Sequence, residues 1–274
     1  MKKTITIAIL IMVCFFEAAS QSMTLGQAVN VAGRQRMLSQ RMAKARLFRT
    51  KQVNSDVCQK ELSASVILFE ENLKNLLAYA PTQKVKVRFT KVENLWNDYK
   101  AVIQNDTSSA AAYNALSMNT NVLTACDEAV QELVFYAKGL STDGDDSAIS
   151  PEAIANNVNV AGRMRMLSQR LTLYYGAHYF DLNPDAIKNI LIVSNNLQQG
   201  INFLTTSDIN TTDIDEALSG TLKDWEVVKE KCTNDGCKGF EKKSIEPTLL
   251  FDTMNRFLAK MDKITSMYAS LSKK

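Results

Sequence analysis

Residues 30–42 read NVAGRQRMLSQRM, and residues 159–171 read NVAGRMRMLSQRL. Eleven of these thirteen positions are identical at an offset of 129, and Trp96 aligns with Trp225 at the same offset. Near the ends of the two copies, Tyr136-Ala137 echoes Tyr268-Ala269 at an offset of 132, three residues more, which fits a short insertion around Cys232–Cys237. Self-similarity of this kind marks a tandem duplication, here of a unit of about 120–130 residues, an ordinary domain size. The expected organisation is an N-terminal leader over residues 1–20, a first repeat over 21–140, a linker over 141–150 and a second repeat over 151–274.

Working outward from the duplicated stretch, apolar spacing and cap signals predict four helices per repeat. In the first copy they run near 24–51, 56–80, 82–105 and 110–139; in the second, near 151–180, 184–206, 212–232 and 245–271. Ser150-Pro151-Glu152 restarts a helix with a capping serine, a proline at the first helical position and an acid in the first turn. The chain of 274 residues has only 4 prolines and 10 glycines, with 46% hydrophobic residues, which argues for few, long helices and against a β-sandwich or a disordered chain. Short connections between long helices favour antiparallel neighbours. The fold class expected is all-α: two tandem up-down four-helix bundles packed as an internal pseudo-dimer.

The reason for pairing the bundles lies in the faces of the duplicated helix. At about 100° per residue, Val31, Leu38, Met42 and Ala45 form one apolar stripe. Gly33, Arg36, Met37, Gln40 and Leu47 form a second, nearly opposite, with Arg34 and Arg41 between. The second copy repeats this with Gly162, Arg165, Met166 and Gln169, and Arg163 beside them. A single bundle needs one buried stripe per helix. Glycine inside a helix costs about 1 kcal/mol relative to alanine and usually marks close backbone approach. The two outer stripes are therefore expected to face each other, with the two helices parallel. Arg36 and Arg165 then meet across the axis. Two guanidiniums about 6 Å apart repel by roughly 3 kcal/mol at an effective dielectric near 20. A planar oxyanion matches their donor forks, so Gly33, Arg36, Gly162 and Arg165 are the candidate ligand residues, supported by Arg34, Met37, Gln40, Arg163, Met166 and Gln169. The motif itself holds no acid; one from another helix, such as Asp127 or Glu128, is the alternative neutralising group.

The N-terminus has the layout of an export signal: Lys2 and Lys3, an apolar run over residues 5–16, then Ala18 and Ser20 before Gln21. An uncleaved anchor is the alternative. The run is short for a membrane span and no later stretch approaches that length, so an exported, periplasmic protein is expected. Four cysteines follow the leader, and an even number in an oxidising compartment favours disulfides. Cys232 and Cys237 flank a turn-forming loop and are expected to pair locally, leaving Cys58 with Cys126; Cys232–Cys237 as half of a metal site is the alternative, without a second cluster to complete it. The net charge of +3 is too balanced for electrostatic nucleic-acid binding. With His178 the only histidine, the sequence contains no catalytic triad, metal cluster or cofactor motif. No catalytic residue, metal or cofactor is expected. Ser39 and Ser168 are read as packing groups, and Trp96 and Trp225 as core.

The duplicated motif resembles the signature of the PilJ-type sensor domain, the periplasmic N-terminal part of type IV pilus methyl-accepting transducers. It is also similar to the sensor domain of nitrate- and nitrite-responsive histidine kinases, where the stretch is called the P-box. The resemblance implies a four-helix bundle with a ligand site at a dimer interface. It implies that the anion is held by the arginine three residues after the motif glycine, together with the backbone near that glycine; here these are Gly33 with Arg36 and Gly162 with Arg165. The positions of Arg34 and Arg163 are small or polar in the nitrate kinases, which implies a different anion environment. Receptors of the family carry transmembrane helices and a cytoplasmic output module. This sequence shows neither, so a membrane receptor or sensor partner is expected. Two functions follow: binding of a small oxyanion, nitrate or nitrite, with relay to that partner, or a purely structural module that docks on a chemoreceptor or pilus component.

Overall fold

Eight helices account for the regular structure of the computed structural model, which describes residues 23–105, 108–140, 149–233, 240, 243 and 245–272. In chain order they are α1 Leu25–Thr50, α2 Ser55–Tyr79, α3 Gln83–Asn105, α4 Ser109–Lys138, α5 Pro151–Tyr179, α6 Ala186–Thr205, α7 Thr212–Thr233 and α8 Pro247–Ser270. No strand occurs among the described residues. Each boundary falls within two residues of the expected one, and side-chain caps fix the starts of α1, α4 and α5. Thr24 and Gln27 form a reciprocal capping box at α1, with Thr24 Oγ1 accepting from Gln27 N at 3.2 Å and Gln27 Oε1 accepting from Thr24 N at 2.8 Å. Ser108 and Ser150 accept from the backbone N–H three residues on, at 3.2 and 3.1 Å. At α6 the expected start at Pro184 shifts to Ala186, because Asn183 Oδ1 accepts from Asp185 N and turns the chain first.

Within the first repeat α1 packs on α2 and α4, and α3 on α4 and α2; within the second, α5 packs on α6 and α8, and α7 on α8 and α6. The most extensive contact of all joins α1 to α5, with α4 also reaching α5 and α8 reaching α1. The two duplicated helices therefore sit at the centre, and the moderate amphipathicity expected of a bundle helix gives way to burial nearly all round: Leu38, Met42 and Ala45 are buried, and so are Gly33, Arg36, Met37, Gln40 and Leu47. Gly33 lies against Gly162, while Leu47 and Phe48 lie against Gly176, fourteen residues further along α5. Contact between counterparts at both levels makes α1 and α5 parallel. Trp96 and Trp225 are buried, donating to Glu70 and Gln198 at 3.2 and 3.0 Å.

Two expectations are corrected. The last helices correspond at an offset of 135 rather than 132: Ala115, Leu116, Val122, Ala129 and Leu133 of α4 are buried as are Leu250, Phe251, Phe257, Ile264 and Tyr268 of α8. The shift of three residues is close to one helical turn, so the apolar pattern survives it and the Tyr-Ala echo misleads. Tyr268 is buried, with its hydroxyl donating to Asn210 at 2.5 Å, whereas Tyr136 is half-buried. The Cys58–Cys126 disulfide is not formed; both thiols are free and buried. Cys58 sits at the Lys44–Arg49 end of α1, whereas Cys126 sits at the level of Arg36. At 1.5 Å per residue that is a separation on the order of 12–20 Å, and a disulfide needs Cα atoms within about 7 Å. The side chain of Cys232, all of Cys237, the leader and linker residues 141–148 lie outside the described residues.

Candidate anion site at the centre of the two repeats

The glycines of the motif let the arginines meet. A Cβ on Gly162 would stand 3.3 Å from Arg165 Nη2, 3.4 Å from Arg36 Nη2 and 3.8 Å from the Cα of Gly33, and a Cβ on Gly33 would find the mirror set. The two Nη2 atoms are therefore no more than about 7 Å apart. Both guanidiniums are fully buried. Burial pushes the pKa of Arg36 down, against the raising effect of Asp127, and burial pushes Arg165 down to about 10, against Asp262.

Each arginine is held by both repeats. Arg36 Nη1 donates to Asp127 Oδ1 at 2.7 Å and to Asn159 Oδ1 at 2.9 Å, and its Nη2 donates to the Asn159 carbonyl at 3.1 Å. Arg165 Nη1 donates to Asp262 Oδ1, and its Nη2 to the Asn30 carbonyl at 3.2 Å. The neutralising acids thus come from the last helix of each bundle, one of them Asp127. Glu128 instead pairs with Arg88 and Lys91 at 3.0 and 2.8 Å. Each carboxylate is shared with the other repeat's flanking arginine, Asp127 with Arg163 at 3.9 Å and Asp262 with Arg34 at 3.4 Å. Four guanidiniums therefore share two carboxylates, a formal excess of two positive charges. Burial would raise the Asp262 carboxyl, but Arg165 and Arg34 outweigh it and hold it below its ordinary value.

The supporting residues complete a polar layer. Ser39 and Ser168 Oγ donate to the Arg36 and Arg165 carbonyls at 2.8 Å, and receive Gln40 and Gln169 Nε2 at 3.1 and 3.3 Å. These serines bond within their own helices. Met37 and Met166 are buried beside them. Arg36 and Arg165 Nε and Gln40 and Gln169 Oε1 are buried without a hydrogen-bond partner among the described residues. Buried polar atoms left this way cost about 1–3 kcal/mol each.

A second polar cluster, which the motif reading did not reach, lies a few turns along. Lys44 is buried, its Nζ 2.9 Å from Glu61 Oε2, donating to Asn255 Oδ1 at 2.9 Å and lying 3.9 Å above the Phe251 ring. Burial lowers its pKa to about 8, against Glu61. Arg41 Nη2 reaches Glu61 Oε1 at 3.2 Å, and Asn255 Nδ2 donates to the same oxygen at 2.7 Å. A lysine inside an otherwise buried helix face was the available signal.

The two parallel motif helices each bring an arginine and a glycine to their contact. Most of the first repeat is similar to the PilJ domain. The family model, described as type IV pili methyl-accepting chemotaxis transducer N-term, matches residues 18–119. The PilJ match spans α1 to α3 and the start of α4, and so includes Gly33 and Arg36 but none of the second repeat. PilJ is a sensory family rather than a catalytic one. Comparison with curated proteins and with solved structures gives no match. Among the described residues, no helix is long and apolar enough to cross a membrane.

Proposed function

We propose that this protein is an exported sensory module that holds a small oxyanion, nitrate or nitrite first, between α1 and α5, and relays its presence to a membrane partner. The observation that carries the reading is the pair of buried guanidiniums facing each other across Gly33 and Gly162, in a cluster where four arginines share two carboxylates. The excess charge favours an anion, and the two unpartnered Nε–H donors favour one with acceptor oxygens. The carboxylates of Asp127 and Asp262 are partly exposed while their arginines are not. An incoming oxyanion would exchange with them, loosening α4 and α8 from the centre, which gives the relay a physical form.

Thermal unfolding against nitrate, nitrite, sulfate, acetate and chloride at fixed ionic strength tests this. An anion at one hundred times its dissociation constant stabilises the native state by about 2.7 kcal/mol. The upshift should be selective, vanish in Arg36→Lys and Arg165→Lys, and grow in Asp127→Asn, which removes the competing carboxylate. No selective shift in the wild type or in Asp127→Asn would defeat the reading.

A second reading is favoured by one observation: both central arginines already hold a carboxylate. In that case the layer is a structural lock, and the protein works as an interaction module docking on a membrane chemoreceptor or pilus component. It would then show no anion response and would bind that partner with Arg36→Lys intact.

A further inference from the structure

The two repeats differ at one duplicated arginine, and the difference leaves a groove. Arg41 and Arg170 are counterparts at the motif offset of 129. In the first repeat Arg41 pairs with Glu61 on α2. The helices α2 and α6 correspond at an offset of 128, since Leu62, Phe69, Leu73 and Leu76 are buried as are Ile190, Leu197, Ile201 and Leu204. The counterpart of Glu61 is therefore Asn189, and Leu173 stands where the first copy has Lys44.

The carboxylate is gone and the arginine remains. Among the described residues no ion pair involves Arg170; its Nη2 donates to Tyr174 OH at 2.6 Å, and its guanidinium lies 5.0 Å from that ring. Around it opens a groove of about 360 Å³ between α4, α5 and α6. Arg170, Tyr174 and Asn189 form one polar wall, and Leu123, Met166 and Ile192 supply apolar lining. Its acids are already engaged, Asp127 by Arg36 and Glu128 by Arg88 and Lys91. The size falls at the lower end of small-molecule sites, which run about 300–1,000 Å³.

We infer that this groove binds a small organic monocarboxylate with an apolar or aromatic body. Its carboxylate takes the place on Arg170 that Glu61 fills on Arg41, with the Asn189 amide as a further donor. The body lies on Met166, Leu123 and Ile192. Guanidinium is suited to this because its planar donors accept a carboxylate in two parallel bonds. The groove adjoins the α1–α5 centre and shares Asp127, Arg163 and Met166 with it, but the argument from Arg170 and Asn189 does not rest on the oxyanion reading.

Isothermal titration of the full chain with benzoate and with hexanoate tests it, with benzamide as the neutral control. Saturable binding of a carboxylate but not of benzamide is expected. Arg170→Ala should weaken it at least tenfold. Asn189→Glu, which rebuilds the internal pair of the first repeat, should abolish it and raise the melting temperature. Circular dichroism checks that both variants fold. Absence of saturable binding by either carboxylate, or unchanged affinity in Asn189→Glu, would overturn the inference.

Discussion

Two helix glycines allow one substitution to report on how the repeats meet. Gly220 of α7 is exposed, and a Cβ there would find nothing within 4 Å. Gly176 of α5 faces α1, where a Cβ would stand 2.6 Å from Phe48 Cε2 and 3.0 Å from Leu47 Cδ2. Phe48 cannot step aside freely: it is fully buried, with its ring 5.3 Å from Phe251 and 6.2 Å from Phe180, centroid to centroid. Alanine improves helix propensity by about 1 kcal/mol at either site. At Gly220 that is the whole effect. At Gly176 overpacking costs about 1–3 kcal/mol against it. Gly220→Ala should therefore stabilise by about 1 kcal/mol, and Gly176→Ala should fall about 1–3 kcal/mol below it. For a protein of this size each kcal/mol shifts the midpoint by roughly 2–4 °C. Thermal unfolding followed by circular dichroism, with urea titration to confirm an unchanged slope, reads both. If Gly176→Ala is as stabilising as Gly220→Ala, α1 does not pack on α5 at this level, and the parallel arrangement of the two motif helices fails with it.

Three further outcomes follow from the buried polar groups. Asp262 and Glu61 are held below their ordinary values of 3.8 and 4.5; a depressed carboxyl contributes stability above its ordinary value and loses it as the pH falls through the folded one, so the urea midpoint should drop on acidification below about pH 4.5, and less so in Glu61→Gln. Cys58 and Cys126, both free and with burial pushing their pKa up to about 12, should resist iodoacetamide in the native protein and react fully in denaturant, as read by peptide mass spectrometry. Lys44→Leu takes away the nearer of the two cations on buried Glu61, leaving it Arg41 and Asn255, and should cost about 3 kcal/mol, the lower end for a broken buried pair. Lys44→Leu with Glu61→Asn, which copies Leu173 and Asn189, should recover about 1–3 kcal/mol of that in a double-mutant cycle by urea unfolding.

How far the sequence reaches is set by the range of the interactions that write into it. Helix ends are local: a cap and its N–H are three residues apart, so Thr24, Ser108 and Ser150 announce them. The outer stripe is local too, and the glycine and arginine at its centre come together as the helical period places them. The partners of those arginines are not local. Asp127 and Asp262 lie 91 and 97 residues from the side chains they neutralise. Their equivalence is hidden by a change of offset from 129 to 135, and a slip of about a turn leaves every apolar stripe plausible. Glu61 of α2 looks solvated in sequence for the same reason, since nothing nearby reveals the buried Lys44 and Asn255 that face it.

The same distinction explains which parts of the duplication stayed alike. At the axis a residue meets its own counterpart, Gly33 against Gly162 and Arg36 beside Arg165. A change in one copy there must suit the other copy's unchanged side chain as well as its own neighbours. Away from the axis Arg41 and Arg170 face different helices, so Glu61 could become Asn189, and Lys44 become Leu173, without consequence for the other half. Packing alone therefore accounts for retention of the glycines and the methionines. It accounts less well for retaining four arginines against two carboxylates, because the flanking Arg34 and Arg163, though partly exposed, add positive charge beside two already paired guanidiniums. That excess is what the anion titration interrogates, and Asp127→Asn sharpens it: in a structural lock, losing the carboxylate only destabilises, whereas in a binding site the destabilised protein gains affinity for the anion that replaces it.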